Sequence, residues 1–386
     1  MPHYYHLGNI PRKRHTQFRK EDGTLYWEQV MGTKGFSGIQ SILYHLHPPT
    51  QIRAARKVRD WFPSPEEEGA NRHRLLRTDR YPEGGDAIDG RRHLLFNTDV
   101  AIATVAPTEP MTYFFRNSDG DEVLFVHEGE GILQTLFGQI PFQAKDYLVL
   151  PVGTTYRLEI TSASSRFLVI ESSGEITTPK RYRNEHGQLM EHSPFCERDF
   201  RMPQQLETID EVGEFEVRVK ARNQLHAYTY DTHPFDVVGW DGYLYPWAFN
   251  ADDFEPITGS IHQPPPVHQT FAGPNFVICT FAPRQFDYHP EAIPAPYAHS
   301  NVNSDEVLYY VEGNFMSRKG VDIGALTLHP SGIPHGPHPG TVEKSIGKER
   351  TEELAVMIDT FKPLQVTREA LQVEDESYLT SWLPRR

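Results

Sequence analysis

Short apolar runs, each closed by glycine or proline, recur along the chain. "GILQTLFG" (131–138), "YLVLPVG" (147–153), "RFLVIES" (166–172), "NFVICTFAP" (275–283), "EVLYYVEG" (306–313) and "ALTLHPSG" (325–332) are rich in β-branched and aromatic residues, the pattern of short strands between turns. Thirty-one prolines and 28 glycines supply the punctuation. Few segments hold a 3.6-residue period; "SPEEEGANRHRLLRTDR" (64–80) and "TREALQVEDESYLTSWL" (367–383) are the better helix candidates. The expectation is an all-β core with minor helical additions. The polar, proline-marked segment from about 175 to 215 is expected to join two β units.

A repeat supports that division. "NSDGDEVLFVHEG" (117–129) matches "NVNSDEVLYYVEG" (301–313) at seven of thirteen positions without a gap. A chain of 386 residues has room for more than one core. The expected units are residues 1–215, with a β core at about 95–172, and residues 216–386, with a core at about 235–360.

Charge and cysteine content narrow the function classes. With 52 acidic and 38 basic residues the formal net charge is −14, which argues against nucleic acid as a partner. The basic run "PRKRHTQFRK" (11–20) is read as solvated surface. Cys196 and Cys279 fit neither a disulfide framework nor a Cys-x-x-Cys metal site. "MPHYYHLGNIPRKRH" lacks the apolar core of a secretory signal, and no stretch reaches the roughly 18 apolar residues of a membrane span. The chain is expected to be cytoplasmic, without a membrane partner.

The chemistry-bearing residues surround the second copy of the repeat. His299-x-Asn301-x4-Glu306-x6-Gly313 is followed by Gly324-x5-Pro330-x-Gly332-x2-His335. These two segments resemble the paired motifs of the cupin family, small jelly-roll β-barrels whose first motif carries H-x-H, Glu and Gly and whose second ends in His. The resemblance implies two such barrels, a bicupin. Asn301 stands where the second histidine of the first motif is usual, so the implied metal ligands are His299, Glu306 and His335. Two imidazoles and a carboxylate form the facial set of non-haem Fe(II) oxygenases. Strand alternation points Glu306, Leu308 and Tyr310 to one side.

Nineteen histidines would put one near almost any strand, and a buried His or Glu can be ordinary hydrogen-bonded core. The joint spacing, rather than any single residue, carries the metal reading. His329 and His338 are expected to support the motif or face outward, and His226, His233 and His289 are not assigned to it. In the first copy Phe115 stands for His299, Glu122 for Glu306 and Tyr156 for His335. With both imidazoles gone, the first barrel is expected to be metal-free and structural.

A closer resemblance covers about residues 235–345. "FDVVGWDGYLYPWAFN", "FVICTFAPR", "APYAHSNVNSDEVLYYVEG" and "IPHGPHPG" are similar to the homogentisate 1,2-dioxygenase family. That family implies an inactive amino-terminal β domain and an active barrel holding Fe(II). It implies O2 as co-substrate and a small aromatic acid as substrate, homogentisate opening to maleylacetoacetate in tyrosine and phenylalanine breakdown. A homo-oligomer is also implied. The family's H-x-x-P histidine falls on His262, with His268 as its neighbour, and a neutral imidazole there would handle the phenolic proton. Substrate contacts are expected from Asn301, Tyr310, Phe315 and His335.

One departure widens the substrate range. The family commonly has a tyrosine where this chain has Phe315. Tyr309, Tyr310, Arg318 and Lys319 are nearby replacements for carboxylate recognition, and other hydroquinone-like acids such as gentisate come within range. A zinc- or manganese-dependent cupin isomerase and a non-catalytic storage bicupin are the alternatives.

Overall fold

The computed structural model describes residues 3–313, 315 and 320–383. Nearly all of its regular structure is β, and among the described residues one α-helix occurs, Thr341–Ser345. The two helix candidates are not helices. Within 64–80, Pro65 and Gly69 interrupt the period, and the chain forms a strand, Arg74–Leu76, and a 3-10 turn, Thr78–Arg80. The buried Arg74 guanidinium bridges Glu66 and Glu374 at 2.6 and 2.7 Å. The 367–383 segment breaks into 3-10 turns at Ala370–Val373 and Glu376–Thr380. The Asp375 side chain accepts a hydrogen bond from the Ser377 backbone N–H, starting the second turn and interrupting the helix.

Three sheets stack face to face. The central one has eight strands, in the order Phe200–Arg201, Trp247–Asn250, Asp146–Leu150, Asp121–Glu128, Arg166–Ser172, Val100–Val105, Arg92–Phe96, Gln365–Val366. Its strands are apolar on both faces because both faces are covered. Phe125, Val149, Leu168 and Ile170 pack with Ile278, Val307, Tyr309 and Ile358 of a six-stranded sheet. Their alternating neighbours Leu124, Leu148, Phe167 and Val169 pack with Leu133, Ile140, Tyr156 and Leu158 of a seven-stranded sheet. A four-stranded sheet that includes Gln40–His45 and Val237–Gly242 contributes Leu43 and Trp240 to a core with Phe137, Val217 and Val219. The architecture is all-β, a bicupin of two jelly-roll barrels.

The 175–215 segment is more than a joining stretch. Ile176, Tyr182, Leu189, Phe195 and Phe200 are buried in the same core as Trp247, Phe249 and Phe271. Its polar composition hid a set of spaced apolar anchors.

The six-stranded sheet positions the candidate site. Its order is Gln269–Gly273, Phe276–Phe281, Leu354–Thr360, Asp305–Glu312, Leu326–His329, Arg74–Leu76. Val307, Tyr309, Val356 and Ile358 point to the central sheet. The alternate residues Glu306, Leu308, Tyr310, Ala355, Met357 and Asp359 line a cavity on the far side. Among the described residues no helix is long and apolar enough to cross a membrane.

Candidate metal centre

Backbone pairing brings three side chains together from separate segments. Glu306 sits near the start of the Asp305–Glu312 strand, opposite His329 at the end of Leu326–His329. His299 and His335 lie outside the named strands and form a bridge of their own. The His299 N–H donates to the His335 carbonyl at 2.8 Å, and the His335 N–H returns a bond to the His299 carbonyl at 2.9 Å. The two rings are 4.3 Å apart. His299 Nε2 lies 3.6 Å from Glu306 Oε2, and His335 Nε2 lies 3.4 Å from Glu306 Oε1. One ligand atom from each residue falls within 4.8 Å of the others.

The tautomers suit a cation. His299 Nδ1 faces the Tyr297 carbonyl at 3.3 Å, and His335 Nδ1 faces the Ile333 carbonyl at 3.2 Å. A carbonyl only accepts, so in the neutral ring the proton sits on Nδ1 and each Nε2 turns its lone pair towards Glu306. His335 Nε2 is buried and makes no hydrogen bond. Lone pairs aimed at a carboxylate repel it unless a proton or metal ion lies between them. The donor set of two imidazole nitrogens and a carboxylate therefore fits a divalent ion. Burial would raise the Glu306 carboxyl, but donation from His329, and from His299 and His335 when a proton sits on the Nε2 that faces it, outweighs burial and holds the group well below the carboxylate range.

A second layer fixes the carboxylate. His329, fully buried, donates from Nδ1 to Glu306 Oε1 at 2.8 Å, and its Nε2 meets the Tyr378 hydroxyl at 3.0 Å. Its ring stacks on His335 at 4.5 Å. His338 is also buried, stacked 4.5 Å from Trp382 and bonded to Ser381 Oγ at 2.7 Å. Neither histidine faces outward, so only the supporting half of that expectation stands. His73 closes the group, with Nε2 3.1 Å from the Pro334 carbonyl and its ring against Trp382. Asp359, across the strand pair from Glu306, has a buried Oδ1 without a partner. Burial and the Glu306 charge push its carboxyl up to about 7, with His299 pulling the other way.

The cavity beside Glu306 measures about 500 Å³. His262, His268, His299, Asn301, Tyr310 and Phe315 line it, while His335 belongs to the metal group and not to the cavity wall. His262 is 43% exposed, its ring edge-on to Tyr297 at 4.9 Å and its Nδ1 3.9 Å from Asp287 Oδ2. His268 is buried with an unpartnered Nδ1, its ring 4.5 Å from Phe281. Burial first, then the Arg284 charge, pushes its imidazole down to about 3. Asn301 accepts the Gly332 N–H at 2.7 Å through its backbone carbonyl. Phe315 packs edge-on to Tyr310 at 4.5 Å. Tyr309 points away from the cavity, its hydroxyl 2.9 Å from His127 Nδ1. Arg318 and Lys319 lie outside the described residues.

Sequence reasoning missed several residues. Alternation along Leu326–His329 could have put His329 and Thr327 on one face, but the Glu306–His329 register is invisible without the pairing. His73, Tyr378 and Trp382 come from the stretches read as helices, Arg284 closes "FVICTFAPR" without a role of its own, and Asp359 belongs to no motif.

The first barrel repeats the geometry with other chemistry. Phe115 pairs with Tyr156 across the strands as His299 pairs with His335. The Tyr156 hydroxyl donates to Glu122 at 2.9 Å, and the Arg91 guanidinium lies 2.5 Å from the same carboxylate and 5.5 Å from the Phe115 ring. A fixed cation thus satisfies Glu122. A larger cleft of about 680 Å³ opens on this half beside Trp61, His93 and Lys220. Its two lysines are already paired, Lys220 with Glu171 and, at 3.2 Å, with Asp119, and Lys362 with Asp99 at 2.7 Å, so the smaller cavity is the one with chemistry to offer.

Comparison with known proteins bears on this site. A family model described as Homogentisate 1,2-dioxygenase N-terminal matches residues 22–251, and one described as Homogentisate 1,2-dioxygenase C-terminal matches residues 248–386. A relative from Saccharolobus solfataricus named "Putative dioxygenase SSO1533" is 43% identical over 99% of each chain. The homogentisate 1,2-dioxygenase of Bradyrhizobium diazoefficiens is 26% identical over 69% of this chain and 62% of its own length, so less than two thirds of that enzyme is matched. Among solved structures, a cupin 2 conserved barrel domain protein from Leptotrichia buccalis aligns with a TM-score of 0.34 and 11% identity, over 75% of this chain and 96% of that one.

Proposed function

Because the chain belongs to the homogentisate 1,2-dioxygenase family, we propose that it is an Fe(II)-dependent ring-cleaving dioxygenase. Its proposed reaction opens homogentisate with O2 to maleylacetoacetate. The observation that carries this reading is the inward aim of His299 Nε2 and His335 Nε2 at Glu306. These three residues would hold the ion. When bound, Fe(II) supplies neighbouring open positions for a phenolic oxygen and for O2 and couples them electronically.

The remaining work falls to the chain's own residues. His329 and Tyr378 keep the Glu306 carboxylate oriented. Tyr310 and Phe315 offer an aromatic wall for the ring, and Asn301 a polar edge near His299. His262 takes the phenolic proton. Its exposed imidazole can pass that proton on to solvent, whereas His268 sits in an apolar, partly cationic setting that resists protonation. Phe315, at the family's tyrosine position, favours keeping a gentisate-type acid as a second substrate reading.

Anaerobic reconstitution with Fe(II), followed by oxygen-electrode assays over a panel of dihydroxybenzoates and dihydroxyphenylacetates, tests the proposal. The expected result is one O2 consumed per ring opened, fastest with 2,5-dihydroxyphenylacetate. Turnover of none of these acids by fully iron-loaded protein would refute it.

A further inference from the structure

Arg284, the last residue of "FVICTFAPR", has no role assigned among the motifs, yet among the described residues it is the only lysine or arginine lining the cavity. The charged neighbours it shares that wall with are Asp287, Glu306, Glu353 and Asp359. Once Glu306 is committed to a metal ion, the described residues of the cavity still include more carboxylates than guanidinium or ammonium groups, and these carboxylates would repel an entering one. Arg284 is the exception. One of its five N–H donors is spent on the Ala282 carbonyl at 3.1 Å, and the guanidinium lies 5.6 Å from the Phe281 ring, the ring that also packs on His268. Among the described residues it closes no ion pair. Glu353 and Asp287 act on it only from a distance, and burial is the largest influence on it. A partly desolvated guanidinium with open donors and no bound counter-ion is set up to take an external carboxylate in two parallel bonds.

We propose that Arg284 is the residue that binds the substrate's carboxylate and so restricts the cavity to aromatic acids. The assignment rests on the ring-cleaving reading above for the identity of the substrate, and on the cavity wall alone for the class of ligand. It also answers the loss of the family's tyrosine at Phe315: recognition moves from a hydroxyl to a cation on the opposite chain segment. The ring would then lie between Arg284 and the metal group, flanked by Tyr310 and Phe315.

Two measurements test the inference. In the first, phenylacetate and its neutral amide, phenylacetamide, are titrated calorimetrically against iron-loaded wild type, Arg284→Met and Arg284→Lys under nitrogen. Phenylacetate should bind wild type and lose about 100-fold in affinity in Arg284→Met, the size expected when one partner of a desolvated charge pair is removed. Arg284→Lys should recover part of the loss, and the amide should bind all three alike. Equal binding of phenylacetate to wild type and Arg284→Met, or no preference of wild type for the acid over the amide, would overturn the proposal. The second measurement is turnover of 2,5-dihydroxyphenylacetate and its methyl ester. Arg284→Met should raise KM for the acid and leave the ester within a few-fold. Wild type that binds the acid through Arg284 but opens no ring would remove the dioxygenase reading and leave the carboxylate site standing. Normal kinetics on the acid in Arg284→Met would do the reverse.

Discussion

Glu122 and Arg91 form an ion pair at 2.5 Å, both side chains almost fully buried, inside the first barrel. The carboxylate repeats Glu306 in sequence and in strand position, so one glutamate is balanced by a guanidinium and its copy is open to a metal ion. Replacing Glu122 by Ala should leave the iron content per folded protein unchanged. It should also cost about 3–5 kcal/mol of stability, because a buried Arg91 loses its counter-charge. Metal analysis together with a denaturant midpoint checks both halves. A drop in iron in proportion to Glu306→Ala would contradict the division of labour.

Glu306→Ala and His335→Ala should each abolish tight iron binding and turnover together. Two remaining ligands supply neither the geometry nor the charge neutralisation. Full iron occupancy with normal activity in either variant would remove the metal assignment.

Tyr378→Phe reaches the same site from the last segment of the chain. Its hydroxyl meets His329 Nε2, and His329 holds Glu306, so the deletion loosens a ligand without removing it. Iron affinity should fall roughly 10- to 100-fold, with the fold intact. A competition titration with a chelator measures this, and unchanged affinity would mean that His329 holds Glu306 without help.

How much of this was legible depended on the distance over which each signal acts. The strands could be read because each is a local run of apolar residues closed by glycine or proline, as at 306–313 and 325–332. The grouping of His299, Glu306 and His335 could be read because they keep a fixed spacing in one part of the chain. His73 and Tyr378 could not. They come from segments whose helical period is weak, and what fixes them is pairing with distant chain: Arg74–Leu76 against Leu326–Leu328, and Asp375 N–H on the Leu75 carbonyl. Arg284 stayed hidden, although it closes "FVICTFAPR", because a single cation has meaning only once the cavity around it is known.

The protein should lose stability as pH falls below about 6.5. Burial is the main cause that pushes His93 and His268 down to about 3, and His127 and His233 down to about 4. The unfolded chain takes up protons at these residues near pH 6.5, where the folded chain does not. Their contribution is therefore complete above pH 6.5 and is lost towards pH 4. The slope is about 1.4 kcal/mol per pH unit for each buried ring, His233 and His268, and less for the partly exposed His93 and His127. Asp359 and Asp121, raised to about 7 and about 6 chiefly by burial, work in the opposite direction, two carboxyls against four histidines. Denaturant midpoints at pH 7.5, 6.5 and 5.5 should fall in that order, and a flat series would show that these histidines titrate normally.

The proton step separates two histidines that share one cavity. His262 is 43% exposed, between Tyr297 and Asp287, while His268 is buried against Phe281 and held neutral. A base that must take a phenolic proton and then release it needs a route to solvent, and of the two only the exposed His262 has one. His262→Asn should keep the iron and much of the substrate affinity while lowering kcat by roughly 100-fold or more. His268→Asn should change kcat far less. Because His268 packs against Phe281, its cost should appear as lost stability instead. Measuring kcat, KM, iron content and a denaturant midpoint for both variants decides the matter. A large kcat loss confined to the His268 variant would reverse the assignment. Near-normal kcat in both would take the proton away from either imidazole and give it to solvent.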